Sequence, residues 1–204
     1  MSARILPSVL FALALPAWAE GSCKTLEHRF DAAALKALSL EVHVGELSVA
    51  AADDAAVHLE LRVCPRSNWF RRGKVESAEL RVEQEEHSLA LRVSEDRFEE
   101  HWTVRAPAGV ALTVEMGIGE ARVEGMRGDI TAELGIGDLR IEGLAADYGK
   151  VSVESGIGDA TLEVPDDRAE GGRALVSAHS GWTSSGKGSI SAEVGIGEAE
   201  IRLR

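Results

Sequence analysis

The chain has 204 residues with 34 acidic and 22 basic side chains, a net charge of −12. One domain is the expectation at this length, and the charge excludes a nucleic-acid binder, which needs a basic face. Hydrophobic residues at 45% exclude a disordered chain, while 4% aromatics and 21 glycines point to thin, repetitive packing rather than a large-ligand pocket.

Residues 1–19 read as a secretory leader. Arg4 supplies the positive start, Ile5 to Ala17 the apolar run, and Ala17-Trp18-Ala19 the small-residue cleavage site. The run is short for a membrane span, so no transmembrane segment is expected after cleavage. Cleavage would leave residues 20–204 as a single domain, with irregular strands over 38–106 and regular repeats over 110–204. Cys23 and Cys64 are the two cysteines. In an exported chain an even count predicts a disulfide, which would tie down the N-terminus.

Phe30 to Leu38 fits either a short helix capped by Asp31 or a strand–turn–strand. Val57 to Val63, Ala78 to Val82, Ser88 to Val93 and Trp102 to Arg105 alternate apolar with polar and predict strands, with Glu85-Glu86-His87 as a turn. Pro107-Ala108-Gly109 interrupts the chain before a repeat begins.

Four segments share one pattern: Val114-Glu115-Met116-Gly117-Ile118-Gly119-Glu120, Ala132-Glu133-Leu134-Gly135-Ile136-Gly137-Asp138, Val153-Glu154-Ser155-Gly156-Ile157-Gly158-Asp159 and Ala192-Glu193-Val194-Gly195-Ile196-Gly197-Glu198. Leu40 to Val49 is a partial copy, and Val176 to Trp182 fits the slot of a degenerate one. Within each copy the apolar period is two, as in Val110, Leu112, Val114, Met116 and Ile118. It then shifts phase to Ala121 and Val123. The Gly-Ile-Gly triplet is therefore expected to be a corner where the inward face is re-set, with glycine supplying positive φ or close backbone approach.

Strand, corner, strand and turn in about twenty residues match one coil of a β-solenoid. The expected fold is an all-β, single-stranded right-handed β-solenoid with short glycine-cornered strands, the isoleucines stacking as an interior ladder. An antiparallel β-sandwich is the alternative. The last strand, Glu198 to Leu203, is expected to be an open edge.

The Gly-Ile-Gly-Asp/Glu repeats, the Pro107-Ala108-Gly109-Val110 entry and the leader resemble the DUF4097 family of exported, adhesin-like β-strand-repeat proteins. The resemblance spans Leu38 to Arg204 and implies a right-handed β-solenoid with adhesion as its label. It supplies no catalytic residues. Many relatives have Asn between the glycines; Ile here suggests a more buried corner.

Repetition also stacks charge. Glu115, Glu133, Glu154 and Glu193 would form one carboxylate row, and Glu120, Asp138, Asp159 and Glu198 a second. Calcium suits such rows, but solvated corner carboxylates that discourage aggregation are the favoured reading. Arg66, Trp69, Phe70, Arg71, Arg72 and Lys74 make a basic-aromatic loop suited to an anionic glycan, lipid headgroups or an acidic partner. His43 and His58 could meet on adjacent strands as a weak metal pair. No cofactor motif, nucleophile elbow or phosphate loop occurs in the sequence.

The expected function is thus a non-enzymatic binding or scaffold module of the cell envelope, periplasmic or extracellular. An envelope protein or an anionic glycan is the expected partner. A polysaccharide-acting enzyme, or a regulator binding another envelope protein, is the alternative.

Overall fold

The computed structural model describes residues 23–66, 75–165, 170–173 and 178–204. Among them are twelve strands and two short 3-10 turns. Six strands lie before the regular repeats: β1 (Lys24–Asp31), β2 (Ala37–Ala52), β3 (Ala56–Pro65), β4 (Leu80–Gln84), β5 (Ser88–Val93) and β6 (Phe98–Pro107). The repeats supply β7 (Ala111–Glu124), β8 (Ile130–Gly143), β9 (Tyr148–Glu163) and β12 (Gly188–Leu203), with the shorter β10 (Glu170–Arg173) and β11 (Ala178–Thr183) inserted. All pair into one open, mixed sheet in the order β1-β3-β6-β2-β7-β8-β12-β9-β11-β10, with β4 and β5 branching from β2.

The repeat strands are long because they do not stop at the corner. Each runs unbroken through its glycines for 14 to 16 residues, where two short strands were expected. The partial copy in β2 does the same and stacks on β7 with Gly45 opposite Gly119. Gly119 in turn faces Gly137, Gly137 faces Gly197, and Gly197 faces Gly158. Five parallel strands therefore share one corner in strict register.

The corner changes which side chains face inward. In β7, Leu112, Val114 and Met116 are buried, then Ala121 and Val123. The inward step across the corner is five residues, from Met116 to Ala121. Gly117 and Ile118 both face out. The expected interior isoleucine ladder is therefore wrong: Ile118, Ile136, Ile157 and Ile196 are 44%, 45%, 54% and 46% exposed. The phase flip falls before the isoleucine rather than after it, so a residue that alternation assigns to the core lands outside.

Glycine is required at the second position of the triplet. Gly137 has φ of +136°, and a Cβ there would lie 1.8 Å from the Gly119 carbonyl oxygen. No side chain fits that approach, and the φ favours glycine alone. Residues from both sides of the corner belong to one core, which joins Leu112, Ile130 and Val194 to Val123, Ile141 and Ile201.

Strand order departs from simple coil-on-coil succession. β12 lies between β8 and β9, parallel to both. The C-terminal strand is thus interior to the sheet, not the open edge expected from sequence. It carries the full Gly-Ile-Gly triplet, as do both neighbours. Of the Val176 to Trp182 segment, Ala178 to Trp182 are described and form no further coil: β11 runs antiparallel to Lys150–Ser155 of β9. It has no Gly-x-Gly pair with which to follow the corner. Phe30 to Leu38 is strand–turn–strand, with the Ala33 amide donating to Asp31 Oδ1 at 3.0 Å. His43 and His58 are not on adjacent strands, because β6 separates β2 from β3.

Cys23 and Cys64 are joined by a disulfide that staples the start of β1 to the end of β3. Tyr148, fully buried at the head of β9, donates its hydroxyl to the Met126 carbonyl at 2.6 Å.

Gly137→Ala is expected to cost about 1–3 kcal/mol from backbone strain alone, read as a lower urea midpoint. Gly109→Ala, where an added Cβ meets nothing within 4 Å, is expected to stay within about 0.5 kcal/mol. Replacing Cys23 and Cys64 together by Ser is expected to lower the unfolding free energy by about 2–4 kcal/mol, measured in the same way.

Candidate binding surface

The outward face of the five stacked strands carries rows, because register aligns equivalent residues. Neighbouring strands lie about 4.8 Å apart, so each row is nearly continuous. The row before the corner is Glu41, Glu115, Glu133, Glu193 and Glu154. The row just after the corner is Glu46, Glu120, Asp138, Glu198 and Asp159. Between them runs the aliphatic row Val44, Ile118, Ile136, Ile196 and Ile157.

Beyond the second acidic row the charges alternate and pair. Arg140 Nε donates to Glu200 Oε2 at 2.7 Å, and Arg202 Nη2 lies 2.5 Å from Glu200 Oε1. Arg202 also pairs with Glu163 of β9 at 3.0 Å. Glu200 is almost fully buried between the two guanidiniums, which link β8, β12 and β9. A concave patch of about 290 Å³ opens here, bounded by Glu46, His101, Glu120, Arg122, Asp138 and Arg140.

A second concave patch, about 670 Å³ and more open, lies over the first acidic row. Glu41, Glu115, Glu133 and Glu193 line it together with Val44 and Ile118. Arg66 sits at this patch, and its Nη1 donates to the Asp96 carbonyl at 3.3 Å. Of the expected basic-aromatic loop, Arg66 is described; Trp69, Phe70, Arg71, Arg72 and Lys74 lie outside the described residues. Among the described residues, no group of three or more His, Cys, Asp or Glu is arranged to hold a metal ion. The carboxylates of Glu120, Asp138, Glu198 and Asp159 stand in register as a row rather than converging on one point.

Sequence reasoning missed one feature of this region. Glu100 of β6 is fully buried at the end of the corner, with its backbone against Gly45. Trp102 Nε1 donates to Glu100 Oε2 at 2.8 Å, and His43 Nδ1 lies 3.0 Å from Glu100 Oε1. Burial pushes the Glu100 carboxyl above the ordinary carboxylate range, with Trp102 and His43 pulling the other way. The signal was present as Glu100 and Trp102 at a spacing of two on a strand. It could not be read because β6 joins β2 only after the corner.

No family profile matches the chain, and no curated protein matches it. Solved structures do. A structure named as a putative cell adhesion protein from Clostridium sporogenes ATCC 15579 aligns with a TM-score of 0.55 at 12% identity, covering 90% of this chain and 100% of that one. A putative adhesin from Bacteroides fragilis NCTC 9343 aligns at 8% identity with a TM-score of 0.33, covering 87% and 97%. The first of these likenesses shows a shared fold and nothing finer. Among the described residues, no helix is long and apolar enough to cross a membrane.

Glu100 gives a pH prediction. A carboxyl raised by folding contributes stability that is complete below its unfolded value and is lost as pH rises through its folded value. Glu100→Gln removes that loss while keeping an oxygen for the Trp102 indole. Across about pH 4 to 7, the Gln variant is expected to gain stability relative to the parent as pH increases. Urea midpoints at each pH check this; parallel curves for the two proteins would contradict it.

Proposed function

We propose that this chain is an exported, non-enzymatic binding module of the cell envelope, adhesin-like and of the DUF4097 type, with a solenoid-like stack as its scaffold. The observation that carries the reading is the in-register stack of β2, β7, β8, β12 and β9. Such a stack builds a broad, regular surface suited to recognition. Among the described residues two carboxylates stand out from the repeats by their burial, Glu100 and Glu200. Each is held by neighbours, Glu100 by Trp102 and His43 and Glu200 by Arg140 and Arg202, which supports structural duty rather than acid–base chemistry.

Export is supported by the leader-like residues 1–19 and by the disulfide, which suits an oxidising compartment. The name carried by the fold neighbour from Clostridium sporogenes agrees with adhesion. The loop from Arg66 to Lys74 is the proposed contact for an anionic glycan or an acidic envelope protein, since guanidiniums pair with anions and aromatics stack.

The test uses the mature protein beside a variant with Trp69, Phe70, Arg71 and Arg72 replaced by Ser. Both are probed on an array of anionic glycans and by capture from envelope extract. Retention of a glycan or partner by the parent, weakened at least about tenfold in the variant, is the expected result. Equal retention by both removes the loop from the site. Polysaccharide cleavage that disappears when one row carboxylate becomes Gln would replace the binding reading with an enzymatic one.

A further inference from the structure

The aliphatic row at the corner has no packing duty. Ile118, Ile136, Ile196 and Ile157 are each close to half exposed, and Val44 extends the row at its β2 end. An ordered line of exposed isoleucines is unusual on a soluble surface and marks an interaction site. It spans about 19 Å at the inter-strand spacing. A carboxylate row runs along each side. Glu41, at the β2 end of the row before the corner, pairs with His43 and Arg92; among the described residues Glu115, Glu133, Glu154 and Glu193 make no ion pair, so four of the five carboxylates of that row stand uncompensated.

Charge decides the occupant. A second copy of this face would set carboxylate rows against carboxylate rows, and an anionic membrane surface would be repelled in the same way. A partner with an apolar stripe flanked on both sides by Lys or Arg satisfies all three rows at once. Spacing then selects its conformation. Helical side chains along one stripe recur about every 5.4 Å, so three steps drift ~2 Å from the isoleucine row. An extended chain recurs about every 6.7 Å on one face, and the same three steps drift ~6 Å.

We propose that the corner of the repeat stack is a docking surface for a cationic amphipathic α-helix, which lies across the strands with its apolar stripe on the Val44–Ile118–Ile136–Ile196–Ile157 row and its basic flanks on the two carboxylate rows. The proposal rests on the binding-module reading and gives it a partner class and a contact surface that Arg66 adjoins.

The test is fluorescence anisotropy with a labelled synthetic helix of about 18 residues, built from Leu on one face and Lys on its flanks. A scrambled peptide of identical composition is the comparison. Three proteins are titrated: the parent, a variant with Ile118→Ser, Ile136→Ser and Ile196→Ser, and a variant with Glu115→Gln, Glu133→Gln and Glu193→Gln. These side chains are exposed, and matching thermal midpoints confirm that the variants fold.

Saturable binding to the parent is expected, at least about tenfold weaker for either variant and for the scrambled peptide. Binding of the scrambled peptide as tightly as the amphipathic one would overturn the proposal in favour of unspecific charge attraction. Unchanged binding by the Ser variant, or no binding to the parent, would also overturn it. A parent that self-associates in sedimentation, with the Ser variant monomeric, would make a second copy the occupant and overturn it too. If the peptide fails while glycan or envelope capture succeeds, this inference falls and the binding-module reading stands; if both fail, both fall.

Discussion

The structure depends on a backbone contact that admits no side chain. A Cβ on Gly45 would strike the Glu100 carbonyl oxygen, one on Gly119 that of Gly45, one on Gly137 that of Gly119, one on Gly197 that of Gly137 and one on Gly158 that of Gly197, each at 1.8 to 1.9 Å. This line of close approaches crosses five parallel strands and continues onto β6. It lets each strand bend while keeping its neighbour at normal sheet spacing. Register follows, because a slip of one residue would set a side chain where only hydrogen fits. From register follow the carboxylate rows, the isoleucine row and the paired arginines. The carboxylate and isoleucine rows are each one repeat position copied across the sheet, whereas the arginine pairs form where β12 departs from the copy.

Much of this is legible in the sequence. The repeat, its period and the role of glycine at the corner all come from Gly117, Gly119 and their counterparts, since short-range alternation records which side of a strand is buried. What alternation cannot show is the residue at which the phase flips. Met116 and Ile118 lie two apart and both are apolar, so pattern alone carries the inward face one step too far. Burial of Met116 and exposure of Ile118 place the flip between them. The position of β12 was illegible for another reason. Four near-identical strands can be stacked in several orders with the same backbone register, and the choice among them rests on the few side chains that depart from the repeat.

The same logic separates two kinds of acid in this chain. Row carboxylates sit on the solvent face, where repulsion between neighbours is screened and modest. Glu100 and Glu200 are buried, where a carboxylate without partners would cost several kcal/mol. Each has partners from a different strand or row: His43 of β2 for Glu100, and Arg140 of β8 for Glu200. Both lie where the repeat is interrupted or reset. Glu100 closes the glycine line at its β6 end, and Glu200 occupies the position that is Arg122 and Arg140 in the two preceding copies.

That exchange at Glu200 bears on strand order. A row of Arg122, Arg140 and a third arginine would repel along the sheet. Glu200 opposite Arg140 converts repulsion into a half-buried pair in which two guanidinium nitrogens meet one carboxylate oxygen. Arg202 meets Glu163 of β9 on the far side. β12 therefore carries the complementary charge for both neighbours it has, one on each flank. β9 in the same place beside β8 would set Thr161 opposite Arg140 and leave the guanidinium without its carboxylate. Backbone register makes the copies interchangeable, and these two ion pairs break the tie in favour of β12 between β8 and β9.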